Sequence, residues 1–190
     1  MLYIPKKLPL KCIAPFSFIL VLMKYRDSVL TTQEILRSMK FKNTEYNRKW
    51  LNECIEDISA TRSLDIKKIS QNTYEFKIIK YEPGTFYQCE FKDIERILNF
   101  EDGCNKLILA GYYATLISTI DSRTKVGKCY LSVLSKKIGI SKKSIFTYNK
   151  ILEDHEIIFM IHSKIKGKPN YYGLPENSDL ITKKFYADIN

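Results

Sequence analysis

Residues 15–25, PFSFILVLMKY, are apolar at nearly every position, and that density predicts a buried helix. TTQEILRSMK (31–40) predicts a second, short helix. Thr31 is a good N-cap, and Glu34 follows at the spacing of a capping box. Asn43 is placed to cap a third helix, TEYNRKWLNECIEDIS, whose apolar positions 46, 50, 51, 54, 55 and 58 keep a 3.6-residue period. Trp50 shares that stripe with Tyr46, Cys54 and Ile58 and reads as core. The pattern then changes. LDIKKIS and TYEFKII are β-branched, aromatic and partly alternating, with Gln71 and Asn72 between them, which predicts a β-hairpin.

The same order of elements then recurs. YEPGT (81–85) contains Pro-Gly and is the expected boundary, and EFKDIERILNF (90–100) predicts a short joining helix. CNKLILAGYYATLISTI (104–120) predicts a long apolar helix, and YLSVLSKKIG (130–139) a short amphipathic one. Gly139 and Ile140 form a turn, and Ser141 caps KKSIFTYNKILEDH. IIFMIHSKIKGKPNYYGL reads as strand, basic glycine-containing tip, strand. The expected fold class is mostly α with small β-hairpins (α+β). Two domains are expected, 1–82 and 86–175, followed by a polar, loosely held tail at 176–190. In the helix after Ser141, Ile145, Tyr148, Ile151 and Leu152 share one face, expected against Leu131, Leu134 and Ile138. The other face is expected to show Lys142, Lys143, Phe146, Thr147, Asn149 and Lys150.

Charge gives that second face its interest. The 190 residues carry a formal charge of +10, and a pI near 9.3 makes a polyanion the first partner to consider. From Ser122 to Leu152 there is no Asp or Glu, against eight Lys plus Arg. A helix made basic only for solubility carries mixed charge. The acids return as Glu153, Asp154 and Glu156, at the end expected to point away from a polyanion. The competing reading is a solvated lysine face.

Other chemistries find little support. The five cysteines are odd in number and lack metal-finger or redox spacing, so reduced thiols in a cytoplasmic protein are expected. The longest apolar run, FSFILVLM, falls far short of the ~20 residues a membrane span needs. His155 and His162 lie seven apart and do not form a His-x-His pair. There is no glycine-rich phosphate loop, and the acids suggest no two-metal centre. No catalysis, metal or cofactor is expected, and His162 reads as facing DNA or solvent.

YLSVLSKKIGISKKSIFTYNKILEDHEIIFMI (130–161) resembles the winged helix-turn-helix family: a short helix, a glycine turn at Gly139, a recognition helix capped by Ser141, then Leu152, Glu153, Ile157 and Ile158 into the wing. The match covers about a third of the chain, and about two-thirds with the weaker first copy. That first copy has Lys40 where a turn glycine is common. Two tandem winged helices in a small basic chain also resemble replication initiators of plasmids and phages of low-GC Gram-positive bacteria, which are usually longer. The resemblance implies two tandem winged helix-turn-helix domains and sequence-specific binding of double-stranded DNA as a homodimer. It further implies initiation or control of mobile-element replication, alongside other replication proteins. Transcriptional repression is the alternative. A non-catalytic protein-interaction scaffold, using Phe146, Tyr171 and Tyr172, is the alternative of another class.

On that resemblance Lys142, Lys143 and Lys150 contact phosphates, while Thr147 and Asn149 read bases, Asn149 by a bidentate pair with adenine. Phe146 either meets a thymine methyl or folds back into the core. Lys164, Lys166 and Lys168 surround Gly167 at the wing tip, as phosphate contacts or as solvated lysines that discourage aggregation. In the first half Thr44, Glu45, Asn47, Arg48 and Lys49 lie at or near the outer face, and Lys67 and Lys68 on the first wing strand. Glu45 either accepts from a cytosine amine or only caps its helix. This half touches DNA or packs on a second copy.

Overall fold

The computed structural model describes residues 2–25, 29–79, 86–165 and 167–189. Within them the chain is a mixed α+β protein of eight α-helices and small antiparallel sheets that include hairpins. It divides into two compact units, 1–114 and 115–190, each described by itself. The boundary expected at 81–85 lies outside the described residues. No helix among them is long and apolar enough to cross a membrane.

The first unit runs β1 (Leu2–Pro5), α1 (Ile13–Tyr25), β2 (Val29–Thr31), α2 (Thr32–Ser38), α3 (Glu45–Ala60), β3 (Leu64–Ser70), β4 (Thr73–Ile78), β5 (Phe86–Cys89) and α4 (Phe91–Leu98). The following α5 (Lys106–Ile117) contains the division between units. The capping box forms as expected. Thr31 Oγ1 accepts from Glu34 N at 3.1 Å, and Glu34 Oε2 accepts from Thr31 N at 2.9 Å. β2, β4 and β3 form an antiparallel sheet in that order, and β1 pairs with β5 in a separate ribbon.

Two expectations for α3 need correction. Thr44, not Asn43, is the N-cap, its hydroxyl accepting from Asn47 N at 3.2 Å. The buried stripe is Leu51, Cys54, Ile55 and Ile58. Trp50 is only half-buried, stacked on Phe41 with ring centroids 5.9 Å apart, and Tyr46 is 77 % exposed. The apolar period is real, but only its part from Leu51 onward is covered. Lys40 ends the preceding turn at φ 61°, a left-handed conformation that favours glycine.

The second unit runs β6 (Gly127–Cys129), α6 (Leu131–Ile138), α7 (Lys142–Asp154), β7 (Phe159–Ile161), β8 (Asn170–Gly173) and α8 (Ser178–Ile189). Its sheet order, β6-β8-β7, repeats the pattern β2-β4-β3. Each unit thus places two short-linked helices between an outer strand and a hairpin.

The tail expected to be loose is α8. Ile181 is fully buried, and the Phe185 ring meets Tyr171 edge-on at 5.3 Å. Ile181 and Phe185, four apart on one face, dock this amphipathic segment. Tyr171 and Tyr172 are also buried, at 2 % and 1 % exposure, which corrects their expected role as an exposed aromatic pair. They sit on the central strand, covered on both faces: Tyr171 meets α8, and the Tyr172 hydroxyl bonds Thr119.

Candidate nucleic-acid interface

α7 is set by two local devices. Gly139 ends α6 at φ 69°, with nothing within 4 Å of where a Cβ would stand, so glycine is needed there for its backbone alone. Ser141 then caps α7 by accepting from Ser144 N at 3.1 Å. Ser135 Oγ donates to Ile140 O at 2.7 Å and ties the turn back to α6.

Ile145, Asn149, Ile151 and Leu152 are the buried residues of α7. Asn149, expected to read bases, is 1 % exposed. It stands four residues after Ile145 and three before Leu152, so it shares their face of the helix. The outward stripe is Lys143, Phe146, Thr147 and Lys150, with Lys142 beside it at the helix start, and all five are exposed. Phe146 is 58 % exposed, which excludes the reading in which it folds into the core. Thr147 donates its hydroxyl to Lys143 O at 3.2 Å, leaving the oxygen as an acceptor toward the outside.

The hairpin of β7 and β8 lies beside this stripe. The His162 imidazole sits 6.1 Å from the Phe146 ring, centroid to centroid, and its Nε2 bonds Glu153 Oε2 at 3.0 Å. That hydrogen bond raises the histidine pKa above its ordinary value, against the opposing effect of partial burial. His162 therefore faces a carboxylate of α7. Lys164 and Lys168 are exposed on the hairpin tip, where Gly167 takes φ 82°. Lys168 Nζ donates to the Asp188 carbonyl at 3.2 Å. Lys166 lies outside the described residues.

In the first unit the corresponding polar residues serve the helix start. Thr44 caps it, Asn47 Nδ2 donates to Lys42 O at 2.8 Å, and Arg48 Nη1 donates to Asn43 Oδ1 at 3.0 Å. Glu45, Tyr46 and Lys49 are the exposed residues of that first turn. Lys67 and Lys68 are exposed on β3, with Lys68 Nζ 5.9 Å above the Tyr74 ring.

No family model matches the chain, and no curated protein matches it. Among solved structures, the DIP2311 protein from Corynebacterium diphtheriae is similar over 84 % of this chain and 26 % of its own, with 11 % identity and a TM-score of 0.27. The chain spans about a quarter of the length of that protein. So loose a likeness says nothing about what the chain does.

The second unit thus gathers most of the expected contacts on one helix and one hairpin tip. Thr44, Asn47 and Arg48 belong to the other unit. The sequence reading missed His162 as a partner of Glu153, the outward Tyr46, and the whole of α8. Spacing along the chain signals only α8, where Ile181, Phe185 and Ile189 recur every four residues; the other two depend on what lies across the fold. Among the described residues, no group of three His, Cys, Asp or Glu side chains converges on a point that would hold a metal.

Proposed function

We propose that the chain is a sequence-specific double-stranded DNA-binding protein made of two tandem winged helix-turn-helix units. One observation carries the reading: the capped α7 presents Lys142, Lys143, Phe146, Thr147 and Lys150 to solvent in one stripe without an acid. A helix of this kind fits the major groove, where early residues meet base edges and lysines meet phosphates. Lys164 and Lys168 extend the basic surface onto the adjoining hairpin. Binding requires no catalysis, metal or cofactor. The chain acts as a cytoplasmic homodimer on a repeated or palindromic site.

The role in replication initiation or control of a plasmid, phage or other mobile element rests on the resemblance to such initiators. The same surface serves a transcriptional repressor. Iterated sites at an origin favour initiation, and a single site over a promoter favours repression. Exposed Phe146 is what remains for the scaffold reading, since Tyr171 and Tyr172 are buried.

The test is fluorescence anisotropy with duplex DNA, titrated with salt, on the wild type and on Lys142→Ala with Lys143→Ala. Each phosphate neutralised contributes a slope of about −0.9, so the double variant should flatten the slope by roughly two. Absent or salt-insensitive binding by the wild type would turn the lysines into a solvated face.

A further inference from the structure

Asp188, in the last turn of α8, is the meeting point of four other side chains. Its carboxylate accepts from Tyr171 OH at 2.9 Å, from Lys184 Nζ at 2.9 Å and from Lys128 Nζ. Its carbonyl accepts from Lys168 Nζ at 3.2 Å. The donors come from β6, β8, the hairpin tip and α8 itself. Lys128, then Lys184 and Tyr171, hold this carboxyl well below the usual carboxylate range.

Tyr171 and Lys128 also have contacts that do not involve the carboxylate. Tyr171 is 2 % exposed and wedged against Phe185. The Lys128 ammonium lies 5.2 Å above the Tyr171 ring, and Lys128 pairs with Tyr171 across the sheet. Two ammonium groups and a phenol hydroxyl thus converge on one pair of anionic oxygens. That is also the chemistry of a phosphate site, in which lysines supply charge and a hydroxyl supplies direction. Lys168 stands at its edge, drawn to the negative end of α8.

We infer that Lys128, Tyr171 and Lys184, with Lys168 beside them, form a phosphate-class anion site that Asp188 occupies in the free chain. Resting on the DNA-binding reading, the incoming anion is a backbone phosphate, which displaces the carboxylate. The β6 lysine Lys128 is neutralised inside the unit, and the tip lysine Lys168 is held on a helix-end carbonyl, until that exchange occurs. α8 is therefore an intramolecular competitor that lowers the affinity of the second unit for DNA. The carboxylate leaves by rotation and fraying of the last helical turn, with Ile181 still anchoring the first half of α8.

The test compares salt titrations of duplex binding for wild type, Asp188→Asn and Asp179→Asn. The last is a same-charge control at the exposed start of α8. Asp188→Asn should bind several-fold tighter at an unchanged slope, because the wild type makes the same phosphate contact once the carboxylate has left, and the control should match wild type. Adding Lys128→Gln to Asp188→Asn should cancel the gain. Thermal melts in inorganic phosphate separate the two sources of the anion. Stabilisation of Asp188→Asn by phosphate without tighter duplex binding keeps the site and assigns it to free phosphate. No gain with either ligand, in a variant that melts cooperatively, overturns the inference.

If Asp188→Asn does not fold, Lys128→Gln alone decides the matter: it flattens the wild-type slope if the exchange occurs and leaves it unchanged if Lys128 stays with Asp188. A wild type with no salt-dependent DNA binding sinks the functional reading itself. Salt-dependent wild-type binding that none of these variants alters sinks only the masked site.

Discussion

Helical spacing drawn from sequence puts Asn149 and Phe146 together on the outer face, yet Asn149 turns inward while Phe146 stays outside, and a pair of alanine variants exposes the difference. Asn149 is 1 % exposed between Ile145 and Leu152, so Asn149→Ala removes a buried amide and leaves a small void. Losing a buried polar group costs about 1–3 kcal/mol. A unit of this size loses about 4–8 °C of Tm per kcal/mol, so the melt should fall by roughly 5 °C or more. Base preference should not change. Phe146 is 58 % exposed and contributes little to the core. Phe146→Ala should alter stability by about 0.5 kcal/mol or less. It should nevertheless weaken duplex binding about tenfold, the equivalent of about 1.4 kcal/mol. The assays are thermal unfolding by circular dichroism and anisotropy against a small panel of duplexes. An Asn149→Ala protein with wild-type Tm and altered base preference refutes the placement of the buried face. A Phe146→Ala protein that loses its fold while keeping DNA affinity refutes the assignment of the outward one.

Gly139→Ala should destabilise the second unit by about 1 kcal/mol through backbone strain alone, since a Cβ there meets nothing. Lys40→Gly should stabilise the first unit by about 0.5 kcal/mol, because its left-handed strain outweighs one exposed hydrogen bond to Asn99; urea titration reads both. Thr31→Ala should cost about 1 kcal/mol by breaking the capping box, read by the same titration. The His162 pKa is raised by Glu153, so the pair stabilises the protein most below the unfolded histidine value of about 6.5. That stability fades as pH rises through the raised folded value. Tm measured against pH should therefore show wild type exceeding Glu153→Gln near pH 6 and converging on it in mild alkali, and a constant difference would discount the ion pair.

The parts of the site legible in sequence are those made by neighbours in the chain. Gly139, Ser141 and the acid-free run from Ser122 to Leu152 are visible because a turn, a cap and a charge pattern each need only a few consecutive residues. The roles of Thr44, Asn47 and Arg48 were less legible. Their side chains suit base contacts, yet in the fold they satisfy the turn before α3. Polar residues at a helix start face that competition generally, since the first turn has unpaired backbone groups to satisfy.

By itself the sequence determined the order of helices and hairpin that recurs in the two halves, the capping box at Thr31 and Glu34, and the basic character of α7. These follow from hydrogen bonds and periodicities that span three or four residues. Only the tertiary structure decided that Asn149 turns inward, that Trp50 is half-buried, that Tyr171 and Tyr172 are buried on the central strand, and that Asp188 gathers Lys128, Lys168 and Lys184. Helical spacing says which residues share a face. Which face is covered depends on partners dozens of residues away: Tyr171 owes its burial to Phe185, and Lys128 its neutral setting to a carboxylate at the far end of the unit.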